Sequence, residues 1–512
     1  MASENITRRS FAGIGMTAAA GLGLAAAHLT NARADEAVDE APAWDREADV
    51  VVIGYGGAGA AAAIEAARAG VRVIVLEELE NPGGATAVCG GSILMADTPL
   101  QKKFGLEDSV DAMYDYLCAS GGASANQELL RVLADFSPEL YEWCVGCGMD
   151  FEGGELYPGP HINSFNKTGY TLFYTGNEQS RELAAVTPPV PRGHSTLPDS
   201  NGASLFAALS AVVDSLGVEV LLSTPARSLV TNAEGRVVGV KAEGPEGPVA
   251  IGASKAVILT AGGFIDNPQM VADTFPFTNP SGGLRISAGN ENGSGILMGQ
   301  AVGAATRSMA CYQVGRPLST MSDLLPRGVI LTEYGARIVA EDEYNSFIGK
   351  ALMGAPTANC FLIVDEQVET EGNPARFLGE AVAVCNTIDE IAPVIGCDLA
   401  VLANTFAFYN ESVALGVDRE FGKDPQFLVE MAAGPFYVHT CGSKNCMFGS
   451  LGGIAIDAGA HALDLAGQPI PCLYAAGRNS GSIFGWYMAS GASVADVLTF
   501  GIFAGRNAAA EA

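Results

Sequence analysis

The sequence predicts an α/β fold on a parallel sheet, and three observations predict it. After Asp49, residues 50–53 form an apolar, β-branched run of strand length that meets Gly54-x-Gly56-x-x-Gly59. Residues 60–70 are Ala-rich and helix-like, and a second apolar strand, 71–76, follows and ends in Glu77. Apolar strands also close on small residues near the middle of the chain, at Thr260, Ala261, Gly262 and Gly263, and near its end, at residues 473–477. Strand, glycine turn, helix, strand and acid in this order make the βαβ unit that binds dinucleotides, so the sheet is Rossmann-like.

Each position has a physical reason. Gly54 permits the tight turn, Gly56 lets a pyrophosphate approach the backbone, and Gly59 lets helix and strand pack closely. Gly57 and Ala58 complete the turn, and the helix start offers amides and a partial positive charge to phosphate. Glu77 lies about 20 residues past the first glycine, where a carboxylate accepts ribose hydroxyls, with Glu78 beside it. Gly83, Gly84, Ala85 and Thr86, then Gly90 and Gly91, concentrate small residues just past the second strand. They suggest a backbone lying against a flat ligand. A plain glycine loop is the blander alternative.

Composition narrows the class. A chain of 512 residues has room for more than one domain. A formal charge of −29 argues against nucleic acid and anionic membranes as partners. The 11 cysteines are irregularly spaced, and Cys144-x-x-Cys147 and Cys441-x4-Cys446 are isolated pairs among only 5 histidines. Neither a disulfide scaffold nor a metal site is expected.

The N-terminus reads as an address. Arg8 and Arg9 precede an apolar stretch over 12–27 and then Ala32, Arg33 and Ala34. This predicts a twin-arginine signal peptide over 1–34, an acidic linker over 35–48, and export to the periplasm or the extracytoplasmic face, without a stable membrane span. Helical patterns run through 107–148 and 203–216. Residues 151–200 form an irregular segment containing Arg192 and His194, where a loop-anchoring histidine is expected. Strands over 218–222, 226–230, 237–241 and 256–260 predict a β-meander inserted before the parallel sheet resumes. Residues 270–425 lack dinucleotide features and are the candidate second domain. The chain then returns to glycine-rich strands. Ser490, Gly491, Ala492 and Ser493 lead into a helix over 494–508, a Ser/Gly start expected to cap that helix and leave amides free.

These ordered motifs resemble the fumarate reductase/3-ketosteroid dehydrogenase group of FAD flavoproteins. The matching segments include the fingerprint through Glu77, Gly83 and Gly84, Thr224-Pro225-Ala226, 260–263, 434–437, 452–457, 473–477 and 504–507. The resemblance implies FAD held by a Rossmann-like domain in two sequence pieces, 49–269 and 426–512, with an α+β capping domain over 270–425 between them. It places Ala226, Ala261, Gly262, Gly477 and Arg478 at the cofactor. The amides of Ser493, Val494 and Ala495 then face the flavin pyrimidine, where they stabilise negative charge.

Departures select a branch. Fumarate reductases hold two carboxylates with His and Arg. The corresponding places here are Asn345, Gly449, Phe484 and Met488. A dicarboxylate needs charge-assisted partners, whereas Phe484, Trp486, Tyr487 and Met488 suit a flat apolar substrate. Glu341, Asp342, Glu343 and Tyr344, with Arg192-Gly193-His194, Arg478 and Ser490-Gly491, resemble flavoenzymes acting on Δ4-3-ketosteroids. Counted from Gly477, that group's second tyrosine falls at Met488, one place after Tyr487.

The implied chemistry is hydride exchange between flavin N5 and the carbon β to a carbonyl, with Tyr344 handling a proton at the α carbon. Tyr487, Ser490 or the Gly491 amide then holds the carbonyl oxygen. The preferred direction is reduction of an apolar enone. Electrons come from outside, from a quinone-linked, cytochrome or small flavoprotein donor. One alternative is a reductase of unsaturated carboxylates such as aryl-acrylates, using Arg192, Arg337 or Arg478. Another is a non-catalytic flavin electron carrier.

Overall fold

A computed structural model describes residues 43–158, 168–176, 178, 180–197, 199–275, 285–316, 318, 322–443, 446–481, 483–486 and 489–512. The twin-arginine stretch, most of the expected linker, and Tyr487 and Met488 lie outside the described residues.

Strand β1 (Arg46–Ile53), helix α1 (Gly57–Arg68) and strand β2 (Val73–Leu76) form the expected unit. Val50, Val51 and Val52 are wholly buried, as in a parallel sheet covered on both faces. β1 begins three residues inside the stretch read as linker. Acidic residues at 45 and 47 hid it, but Asp45 N already donates to Ala250 O at 2.9 Å. Helix α2 (Val110–Gly121) falls in the predicted helical region. Strand β3 (Glu219–Leu221) pairs parallel with β2, and β4 (Ala226–Thr231), β5 (Val237–Gly244) and β6 (Gly247–Leu259) form the meander. β6 is one long strand with two jobs. Its first half pairs antiparallel with β5, and its second half runs parallel to β1.

A second sheet contains β7 (Val329–Thr332), β8 (Cys360–Val364), β9 (Ala383–Cys385) and β10 (Phe436–Thr440) in the antiparallel order β7-β8-β10-β9. Helix α3 (Asn345–Gly354) lies between β7 and β8 in sequence. Helix α4 (Leu399–Leu415) packs Leu402, Phe406 and Tyr409 into a separate core with Val329, Leu331, Ile363 and Val438. β10 corrects the expected return to the first sheet at residue 426. It sits inside the second sheet, and its alternating sequence carries no local mark of which sheet it joins.

The chain then adds β11 (His461–Leu463) and β12 (Pro469–Ala475), giving the main order β11-β12-β6-β1-β2-β3. The last helix, α5 (Ala492–Ala510), packs on α1 through small residues. A Cβ on Gly505 would fall 2.3 Å from Ala62 O. The parallel strands end together: Gly54 N bonds Leu76 O at 2.7 Å, Thr260 N bonds Ile53 O at 2.8 Å, and Ala476 N bonds Leu259 O at 3.0 Å. Their carboxyl ends open the crevice where such sheets bind ligands. Among the described residues no helix is long and apolar enough to cross a membrane, and no His, Cys, Asp and Glu cluster is arranged to hold a metal ion.

Candidate active site

A cavity of about 590 Å³ occupies that crevice and extends to Tyr344. Of the described residues expected to hold the cofactor, and of Tyr344, Ser490 and Gly491, all except Gly59, Gly83 and Ala495 line it.

The fingerprint glycines divide by what surrounds them. Gly54 has φ +102°, and a Cβ there would sit 2.5 Å from Thr260 O; on Gly59 it would sit 1.9 Å from Gly54 O. Both serve the packing of the fold itself. On Gly56 a Cβ would meet only Gly83 O, at 3.7 Å, and on Gly84 only Gly56 Cα, at 3.7 Å. The bare backbone there faces open cavity, which is the cradle a pyrophosphate needs. Gly57 N donates to Thr86 Oγ1 at 3.1 Å.

Glu77 has a second task besides the one expected. Its Oε2 accepts from Tyr55 N at 2.7 Å and its Oε1 from Leu79 N at 2.9 Å, so it also pins the turn. Each oxygen keeps a lone pair for a ribose hydroxyl. Burial pushes its carboxyl up.

The last helix starts differently from the sequence reading. Gly491 is its N-cap at φ +86°, with no side-chain cap, because a Cβ would fall 2.8 Å from Leu94 N. Gly491 O accepts from Leu94 N at 3.1 Å and Ala495 N at 3.0 Å. The Ala495 amide is therefore committed inside the helix. Ser493 and Val494, whose amides precede the first intrahelical bond, line the cavity. Asp496 follows them, and burial pushes its carboxyl up to about 8 against the pull of Arg478.

Tyr344 caps α3 at the cavity's other end and is 5% exposed. An ion cluster fixes the loop before it. Arg337 Nη2 and Nε bond Glu341 at 2.9 and 3.2 Å, Arg337 also reaches Asp418 at 3.1 Å, and Lys423 Nζ lies 3.2 Å from Glu341. All four side chains are buried. Burial pushes Glu341 up, but Lys423 and Arg337 overcome it and hold it below the usual range. Hydrogen bonds from Arg337 likewise overcome burial and hold Asp418 at about 2.

The other candidate cations are also paired. Arg192 Nε and Nη2 grip Asp108 at 2.8 and 2.7 Å. Arg478 Nη1 reaches Glu291 at 3.1 Å, and its Nη2 reaches Gln313 at 3.3 Å. His194 does anchor a loop: it is buried between Thr98 Oγ1 and Arg192 O, both at 2.9 Å, and burial lowers it to about 4. Phe484 and Trp486 do not line the cavity; Trp486 packs edge-on against Tyr312, 5.2 Å between centroids.

Glu291, Gln313 and Met298 line the cavity and were not singled out, and Asn345, where fumarate reductases carry an arginine, lines it too. The stretch 289–294, Gly-Asn-Glu-Asn-Gly-Ser, opens a helix and carried a readable signal for Glu291. Gln313 and Met298 carried none.

Fold and crevice together define a dinucleotide-binding flavoprotein. Residues 49–494 match the FAD-binding domain family, and the chain belongs to that family. It is an FAD-dependent oxidoreductase acting on CH–CH bonds. The 3-ketosteroid-Δ4-(5α)-dehydrogenase of Rhodococcus jostii RHA1, solved with 4-androstene-3,17-dione, is 32% identical with a TM-score of 0.83, over 93% of this chain and 99% of that one. Urocanate reductase of Eggerthella lenta is 29% identical over 93% of this chain and 77% of its own length. NADH:fumarate oxidoreductase of Klebsiella pneumoniae is 27% identical over 91% of this chain, which spans about half of that protein (48%).

Proposed function

We propose that the protein reduces the C=C bond of an apolar enone, of which a 3-ketosteroid is the model, with Tyr344 as the proton donor. The observation that carries this is the pairing of every arginine offered for a carboxylate. Arg192 and Arg337 are buried in ion pairs away from the cavity, and Arg478 is held by Glu291. A carboxylate substrate would have to compete for them. A neutral carbonyl needs no such partner.

Bound flavin supplies the hydride for the β carbon. Tyr344 gives its phenolic proton to the α carbon, and its burial at the cavity wall holds that proton out of water. Ser490 and the Gly491 amide, both on the cavity wall, receive the carbonyl oxygen as negative charge grows there. Tyr487 is proposed for the same task on sequence grounds. The Ser493 and Val494 amides would hold the pyrimidine edge. Export by the twin-arginine route and an external electron donor complete the reading. Both rest on the N-terminal sequence and on the lack of haem-attachment motifs.

Replacing Tyr344 by Phe is expected to lower enone reduction by reduced dyes about 100-fold or more, with FAD content unchanged. A Y344F enzyme of wild-type rate refutes the donor role. A substrate panel adding aryl-acrylates tests the carboxylate reading, which turnover of acrylates alone would favour.

A further inference from the structure

The second sheet carries an apolar helix on its outer side. Helix α4 turns Leu402, Phe406 and Tyr409 into the core beneath it. Three rows run along its exposed side. Val401, Phe408 and Leu415 form one and are 44%, 41% and 62% exposed. Ala400, Ala407 and Ala414 form another, and Asn404 and Glu411 lie between the two. Glu411 is the single charged side chain among the 17 residues of the helix, in a chain of formal charge −29. A helix apolar on all sides is normally buried, and an exposed apolar patch marks an interaction face.

The spacing says what covers it. Each row repeats at seven residues, so each keeps to one side of the helix along its length. A second copy of α4, laid antiparallel about a two-fold axis at residues 407–408, puts each row onto itself. Val401 meets the partner's Leu415, Phe408 meets the partner's Phe408, and Ala407 meets the partner's Ala407. The middle row meets as unlike groups, because the Asn404 amide donates to the partner's Glu411, and symmetry makes that contact twice. One Glu411 oxygen, Oε2, accepts from Arg419 Nη2 at 2.8 Å, which leaves Oε1 for the partner's amide. Arg419 also lies over the Phe408 ring, 4.5 Å from its centroid, and so orders both side chains before they pair. A lipid surface is met instead by helices with Lys and Arg on the polar face, and α4 has neither.

We propose that two copies of this chain pair through the outer face of α4, antiparallel about that two-fold axis. The helix is about 25 Å long, so a pair of them makes less than a standard interface and the dimer depends on concentration. The two apolar rows supply the attraction. Asn404 and Glu411 fix the direction and the register, since a slip or a parallel arrangement leaves them unmatched.

Sedimentation velocity of the FAD-loaded protein from about 1 to about 100 μM should show a reversible monomer–dimer equilibrium. F408E sets two carboxylates face to face on the axis and should leave only monomer. N404E repels the partner's Glu411 and N404K attracts it, so the two should shift the dissociation constant about fivefold or more in opposite directions. F408C should cross-link the dimer under mild oxidation, and A403C, on the flank of the helix, should not. FAD content and thermal midpoint should match wild type in each variant, because every position is exposed. A wild type that stays monomeric to about 100 μM overturns the proposal. Co-sedimentation with phosphatidylcholine vesicles, lost in F408E, would then assign the face to a lipid surface, and a monomer that ignores vesicles would assign it to a different protein. A dimer that F408E leaves intact, or that N404E and N404K shift in the same direction, overturns it as well, since the pairing then lies elsewhere or runs in another orientation. None of these readouts depends on the reduction chemistry proposed above.

Discussion

At the carboxyl edge of the main sheet the working surface is backbone, and under Tyr344 it is side chains. The crevice is made by Gly54, Gly56 and Gly84 and by helix-start amides. Two of the carboxyls lining it, Glu77 and Glu291, and Asp496 on the helix that starts at its wall, are pushed up by burial. The cluster under Tyr344 is made by Arg337, Glu341, Asp418 and Lys423. Burial acts there too, but cations hold Glu341 and Asp418 down. One region is shaped to admit a large ligand, and what it requires is bare space. The other holds one phenol in place, and what it requires is charge balance. Substitutions should therefore fail in different ways in the two regions.

The largest expected effect separates two glycines of one motif. G59A puts a Cβ 1.9 Å from Gly54 O, backbone that has nowhere to go. It is expected to cost more than about 4 kcal/mol and to leave little folded protein. Gly56 has φ −92°, open to any residue, and empty space beyond its hydrogens. G56V should fold with an unfolding midpoint close to wild type and yet purify without FAD. Thermal unfolding and flavin absorbance read the two outcomes. G56V carrying wild-type FAD would break the claim that this face of the crevice is kept bare for a ligand.

The cluster under Tyr344 should fail by charge. R337M leaves Asp418 buried without its main partner and Glu341 with Lys423 alone, which is expected to cost about 3–5 kcal/mol in chemical denaturation at pH 7. The pH dependence carries the sign. Carboxyls held below their unfolded values contribute stability that is complete above about pH 4 and is lost as pH falls toward about 2, where Asp418 titrates. R337M should flatten that acid limb. A variant as acid-sensitive as wild type would mean that the cluster is not what holds these carboxyls down.

How much of each region was legible in sequence follows from the same contrast. The crevice depends on backbone conformation, and glycine spacing next to apolar runs reports backbone conformation directly, so almost every residue singled out there lies on the cavity wall. Even so, the sequence put a Ser/Gly cap on the last helix, where Gly491 alone does the work. Only the packing of Leu94 against it, hundreds of residues away in the chain, decides that. The cluster under Tyr344 pairs Arg337 with Asp418, and Tyr116 meets Thr175 from a separate element. Such pairings leave no local pattern. Glu341 and Tyr344 were readable only through a family resemblance. The position of β10 failed for the same reason, since a strand's alternation says it is half-buried but not beside which neighbours.

The smallest expected effect runs opposite in sign and sharpens the contrast most. Burial pushes Asp496 up to about 8, whereas an unfolded aspartate titrates near 3.9. Between those values the unfolded chain is ionised at this site while the folded one keeps its proton, so unfolding releases a proton and stability falls as pH rises. Asparagine has no proton to lose. D496N should therefore match wild type near pH 4 and gain with pH, reaching about 1–2 kcal/mol by pH 7, a value discounted from the full linkage because Asp496 is only partly buried. Chemical denaturation of the holoenzyme at pH 4, 6 and 8 measures it. A gain that grows with pH means that removing this carboxyl beside the crevice helps on the alkaline side, while R337M hurts most there and least in acid. A gain flat with pH, or a loss at pH 8, would mean that Asp496 is ionised in the folded protein. Arg478 would then outweigh burial, and the crevice would be governed by the same charge balance as the cluster under Tyr344.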